Sequence, residues 1–162
     1  MKEALFVVDV QPTFATPAAI IDEIRALSGA LYTVATVERH DEAIVPFERQ
    51  LGWKPGPSDE PLIAANKVFF KHGYLPPTEA IAHLKAMDIE RVYVCGNQIE
   101  TCCLGAGFML FDAGLHPTLL KWLGVGSSLD RSGEMGARLW QHHFGSVIHS
   151  RADFNLARQG AR

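Results

Sequence analysis

The sequence predicts a three-layer α/β domain, a six-stranded parallel sheet with helices on both faces. Three observations lead there. Six short runs are rich in Val, Ile, Leu, Phe or Tyr, which suits strands buried on both sides. Helical patterns lie between them, and strands that alternate with helices form a parallel sheet covered on each face. The 162 residues fit one domain, long enough to bury a sizeable core.

Taken in order, the first strand covers 4–10, "ALFVVDV". A helix over 17–30 follows a Thr16-Pro17 start signal. The second strand spans 32–38. The segment 41–66 is irregular: Pro46 interrupts a short helical stretch, and "GWKPGPSDEP" at 52–61 reads as a mobile loop. The third strand is 67–71, and the helix over 76–87 has proline in its first turn. The fourth strand, 91–96, ends in Gly96, and a helix over 100–113 stops at Gly114. A strand over 116–123, a helix over 130–144 and a strand over 146–150 close the series. There is no repeat and no interdomain linker. The expected strand order is 3-2-1-4-5-6, whose reversal point lies between strands one and four. Ligands bind at such points, beyond the carboxyl ends of the strands.

Composition narrows the function. A net charge of −3 gives no basic footprint for nucleic acid. No apolar run approaches the roughly 20 residues of a membrane span, and the start shows no signal-peptide pattern. Three cysteines, all local, are not a disulfide framework and point to a reducing compartment, so a cytoplasmic location is expected.

Asp9, near the end of a buried strand, is costly to leave unpaired. It is either a structural cap or a general base. Lys71 leaves strand three. In solvent it does nothing special, but beside a carboxylate and a thiol it would stabilise both anions. Cys102 and Cys103 open the helix after strand four, where unpaired N–H groups and the helix dipole ease thiol ionisation. Helical periodicity does not choose between them, and either could be a small core residue. The turn of Gly96, Asn97 and Gln98 could aim backbone N–H groups above a thiol, as an oxyanion hole does.

These pieces together resemble the isochorismatase-like cysteine hydrolases, among them nicotinamidases, N-carbamoylsarcosine amidohydrolases and ureidoacrylate hydrolases. Their D-x-Q-x-x-F motif stands here as Asp9-Val10-Gln11-Pro12-Thr13-Phe14. Their strand-ending lysine with a following aromatic is "KHGY", Lys71 to Tyr74. Their G-x-x-T-[DE]-x-C-V reads Gly96-Asn97-Gln98-Ile99-Glu100-Thr101-Cys102-Cys103. The resemblance covers about residues 4–150 and implies the isochorismatase-like hydrolase fold. It makes Cys102 the nucleophile, six residues after the glycine, with Asp9 as base and Lys71 completing the triad. Cys103 falls at the family's valine. A non-proline cis peptide at Asn97–Gln98 is implied, with the N–H groups of Gln98 and Cys102 as oxyanion hole. Gln11, Phe14, Tyr74 and Asn97 would bind substrate.

The chain also departs from the family. Ile99 replaces threonine. Lys121-Trp122 falls near an aspartate–alanine pair of many relatives, where a buried lysine would alter the network and a tryptophan narrow the crevice. Nicotinamidases hold a metal with Asp-x-His and a later histidine. Here the place reads Glu38-Arg39-His40 with no histidine soon after, so no metal and no nicotinamidase activity are expected. "FERQLGW" resembles a loop of a less characterised branch, which sets Trp53 within reach of its own site or a neighbouring subunit's. His142-His143 reads as an exposed helix end.

The expected activity is hydrolysis of a C–N bond in a small amide, carbamoyl or ureido compound, without cofactor. The partners expected are a small-molecule substrate and further copies of the chain, as a dimer or tetramer, with neither nucleic acid nor membrane. One alternative is a binding or redox-sensing module, motivated by Ile99, Lys121 and the paired thiols. Another is vinyl-ether hydrolysis as in isochorismatase, which needs no thiol.

Overall fold

The computed structural model describes residues 1–56 and 59–160. Pro57 and Ser58, within the stretch read as a mobile loop, lie outside the described residues. Six parallel strands are β1 (Glu3–Val8), β2 (Tyr32–Glu38), β3 (Lys67–Lys71), β4 (Arg91–Asn97), β5 (His116–Val125) and β6 (Val147–Ile148). The helices are α1 (Ala18–Ser28), α2 (Phe47–Leu51), α3 (Thr78–Ala86), α4 (Leu104–Asp112), α5 (Glu134–Phe144) and α6 (Arg151–Gly160). The sheet order is β3-β2-β1-β4-β5-β6, as the sequence predicts.

Successive residues of a strand face opposite sides. Ala4, Phe6 and Val8 of β1 join Val92 and Val94 of β4 in one core. Leu5 and Val7 join Tyr93 and Cys95 in the other. The first core is covered by α3, α4 and α5 through Ala80, Leu84, Leu110 and Trp140. The second is covered by Ile21, Ile24 and Leu27 of α1 and by Phe154 of α6. No described helix is long and apolar enough to cross a membrane.

Some boundaries differ from expectation. β1 stops at Val8, so Asp9 lies just past the strand, in a left-handed conformation with φ 51°. β6 has two residues because Ser150 caps α6, which the sequence reading lacks. Ser150 Oγ accepts from the Asp153 N–H (3.1 Å), as an N-cap serine does, and donates to Asp153 Oδ2 (2.6 Å). α6 then presses Phe154 edge-on against Tyr93, ring centroids 4.9 Å apart. Burying such a ring contributes about 1.5–3 kcal/mol.

Gly96 fixes how closely the two central strands meet. Its φ is 110°, and a Cβ there would lie 2.2 Å from the Val8 carbonyl oxygen. Only glycine allows this approach. It brings the turn after β4 to the end of β1, at the reversal point.

Candidate active site

Four strand ends supply the buried polar groups. Beyond β1, the Asp9 N–H donates to the Thr36 carbonyl (3.1 Å), and Thr36 Oγ1 donates to Asp9 Oδ1 (2.7 Å). Asp9 Oδ2 pairs with Lys71 Nζ at 2.8 Å. Lys71 ends β3, next to Glu38 at the end of β2 in parallel register. Its ammonium also donates to the carbonyls of Gly73 (2.6 Å) and Tyr74 (3.2 Å) and lies 3.4 Å from Glu38 Oε2. Burial alone would lower the Lys71 pKa. Asp9, Cys102 and Glu38 outweigh it and hold the ammonium above its ordinary range.

Cys102 sits in a π-helical turn, Ile99–Cys103, that leads into α4. Such turns recur at functional sites. The Thr101 and Cys103 N–H groups both donate to the Gln98 carbonyl, at 3.1 Å each. The Asn97–Gln98 peptide is cis. Carboxylate oxygens of Asp9 and Glu38 and the Cys102 sulfur all lie within 4.8 Å of one another. The helix start was expected to acidify this thiol. Instead burial pushes its pKa up, Asp9 and Glu38 add to the rise, and Lys71 opposes it. A thiol whose pKa is raised needs a base to become a nucleophile.

Above the sulfur lies a cleft of about 710 Å³. Gln98, Cys102, Glu38, Phe14 and Tyr74 are among the residues that line it. Trp53 and Phe47 complete an aromatic wall in the same chain. Ring centroids are 6.0 Å apart for Phe14–Trp53, 5.9 Å for Phe47–Trp53 and 5.3 Å for Phe47–Tyr74. Thr101, Ser127 and Arg131 form the polar side.

Gln11 and Asn97, expected to bind substrate, make hydrogen bonds to neighbouring strand ends. Gln11 Oε1 accepts from the Glu38 N–H and its Nε2 donates to the Glu38 carbonyl, 2.7 Å each. Asn97 Nδ2 donates to the Asp9 carbonyl (3.2 Å) and to Thr16 Oγ1 (2.5 Å). Asn97 Oδ1 has no hydrogen-bond partner among the described residues. Lys121 leaves the cleft alone, pairing with Glu134 at 2.7 Å. Trp122 packs on Phe154 rather than narrowing the crevice. His142 and His143 lie at the exposed end of α5. Glu38 is the site residue that sequence reasoning treated only as a remnant of a metal motif. Its signal was an acidic residue ending an apolar strand beside those of Asp9 and Lys71.

No protein-family model and no curated protein sequence matches the chain. Solved structures do. The pyrazinamidase of Pyrococcus horikoshii, in complex with zinc, superposes with a TM-score of 0.77 at 20% identity, over 93% of this chain and 100% of that one. An isochorismatase-like hydrolase from Alkaliphilus metalliredigens gives 0.76 at 15% identity, over the whole of both chains. N-carbamoylsarcosine amidase from Thermoplasma acidophilum gives 0.70 at 21% identity, over 93% of this chain and 98% of that one. The chain has the isochorismatase-like hydrolase fold. Glu38 and His40 do not fit a shared metal, however. Glu38 turns toward Cys102 and the Lys71 ammonium, which repels a cation, while His40 Nε2 lies 3.2 Å from a Glu42 oxygen.

Proposed function

We propose that the chain is a cysteine hydrolase that cleaves a C–N bond in a small amide, carbamoyl or ureido compound. One observation carries this reading. Asp9 and Lys71, paired at 2.8 Å and distant in sequence, lie beside Cys102, which lines a cleft, on a fold shared with amidases. Asp9 takes the thiol proton, and the Cys102 thiolate attacks the carbonyl carbon. The N–H groups of Gln98 and Cys102 hold the oxyanion. As the C–N bond breaks, Asp9 returns its proton to the leaving amine, and a thioester remains. Water then attacks the thioester with Asp9 again as base, which frees the acid and the thiol. Lys71 keeps Asp9 oriented and offsets negative charge. The aromatic wall accepts a flat, largely apolar body.

The redox reading is weaker, because Cys103 is wholly enclosed in the core and cannot exchange readily with an outside oxidant. The hydrolase reading is tested by a screen of amides and ureides, with peptide mass spectrometry of iodoacetamide-treated protein alongside. Alkylation at Cys102 ahead of Cys95 and Cys103, slowed about 10²-fold in Asp9→Ala, is expected. So is turnover abolished in Cys102→Ala. Turnover that survives in either variant would sink the mechanism.

A further inference from the structure

A second carboxyl group reaches the sulfur. Glu38 is 1% exposed and lines the cleft. Gln11 clamps its backbone on both sides, so the side chain starts from a fixed point. The two carboxyl oxygens differ in their surroundings. Oε2 accepts twice, from Lys71 Nζ (3.4 Å) and from Cys102 Sγ (3.8 Å). Oε1 is shut off from bulk water and has no hydrogen-bond partner among the described residues.

The groups facing Glu38 are Asp9 beyond β1, Lys71 from β3 and Cys102 from the π turn. One ammonium thus serves two carboxyls and a thiol, and it lies closer to Asp9 (2.8 Å) than to Glu38 (3.4 Å). An ionised Glu38 would share a cation already engaged and leave Oε1 as a bare buried anion, which is costly. A proton on Oε1 removes that cost and makes the oxygen a donor. Burial pushes the Glu38 pKa up to about 7, with Lys71 opposing and Asp9 adding to the rise.

We propose that Glu38 is a specificity-determining residue, a neutral carboxylic acid whose Oε1 donates a hydrogen bond to an acceptor atom of the substrate over Cys102. The proposal rests on Cys102 being the nucleophile of the reading above. The last torsion of a glutamate lies in a broad well, so the carboxyl turns into the cleft without backbone movement. The substrate class narrows accordingly. It is an amide, carbamoyl or ureido compound with a second oxygen, or an unprotonated nitrogen, near the scissile carbonyl. A compound with an ammonium at that place is rejected while Glu38 is neutral.

Two alkylating probes test this. Iodoacetamide and iodoacetate need the same thiolate, so the ratio of their rates at Cys102 does not depend on how much thiolate is present. Iodoacetate alone carries a carboxylate, which a neutral Glu38 accepts and an ionised one repels. Arg131 also lines the cleft, and it is present in both the native chain and the Glu38→Gln variant that the comparison uses. Between about pH 6 and pH 8 the iodoacetate-to-iodoacetamide ratio should fall about tenfold in the native chain. In Glu38→Gln, which keeps a donor but no charge, it should stay flat. A flat native ratio, or a fall that persists in Glu38→Gln, overturns the proposal. So does an equal slowing of both probes in Glu38→Gln, which would make Glu38 the base. A second readout needs no reaction at sulfur. The infrared carbonyl band of a protonated carboxyl should be present in Cys102→Ser at about pH 6 and absent when Glu38→Gln is added. Its absence from Cys102→Ser overturns the proposal. If the band is present but no amide is hydrolysed, only the hydrolase reading fails.

Discussion

Glutamine at position 38 should make the protein more stable at neutral pH and change little in mild acid. The Glu38 carboxyl is raised from 4.5 to about 7 in the folded chain, chiefly by burial. Between those values the folded state holds a proton that the unfolded state has released, so stability falls as pH rises. The contribution is intact below pH 4.5, shrinks through the interval and levels off above about 7. At about 1.4 kcal/mol per unit, a gap of about 2.5 units amounts to about 3 kcal/mol. Glutamine has a similar shape and no proton to lose, so it escapes this loss. Urea denaturation of both proteins should therefore give stabilities within about 1 kcal/mol at pH 5. At pH 8 the variant should be ahead by about 3 kcal/mol, a midpoint shift of about 1–3 M. Curves that run parallel from pH 5 to pH 8 would refute the reasoning, because Glu38 would then titrate like an exposed carboxylate.

Three further outcomes follow from the same geometry. Lys71→Met leaves Asp9 and Glu38 without their ammonium and should cost about 3–5 kcal/mol at pH 7 in urea denaturation. That loss should shrink on acidification, as Glu38 takes up its proton. Gly96→Ala would force a Cβ to within 2.2 Å of the Val8 carbonyl oxygen, so a loss of at least about 3 kcal/mol is expected by thermal unfolding. Ile99→Thr removes packed carbon and buries a hydroxyl among apolar groups. It should lower stability by about 2–3 kcal/mol, read by urea titration.

Strand composition and punctuation made most of the fold legible. β1 and β4 carry apolar residues at nearly every place, so both faces are buried and a parallel sheet follows. The motifs of Asp9, Lys71 and Cys102 pointed to the candidate site, because each stands at a strand end or in the turn just after one. Other features depend on what the motifs meet in space. Gln11 and Asn97 look like pocket residues in one dimension, yet their amides are used by neighbouring strand ends. Cys102 looks acidified by a helix start, yet burial pushes its pKa up, and depth is not written in a local run of residues. The Ser150-Arg151-Ala152-Asp153 cap of α6 was readable, but the apolar run before it suggested a longer strand. The role of Glu38 needed the register that sets it beside Lys71.

Ile99 illustrates how a departure from a motif can be structural. It is wholly buried and is not among the residues that line the cleft. A Cβ on Gly124, Gly133 or Gly136 would lie within 2.6–2.7 Å of Ile99 side-chain atoms. Three glycines of the segment that follows β4 and α4 therefore leave the volume that the isoleucine fills. A threonine at 99 would be shorter by one carbon and would carry a hydroxyl into that packing. The hydrophobic side chain and the three glycines are one packing solution, which presses the loop after β5 and the start of α5 against the π turn that holds Cys102. Lys121 acts at the far side of the same region, pairing with Glu134 and donating to the Ser132 carbonyl at 2.9 Å. Ile99 thus bears on how the turn is supported, while the groups facing the sulfur are Asp9, Lys71 and Glu38.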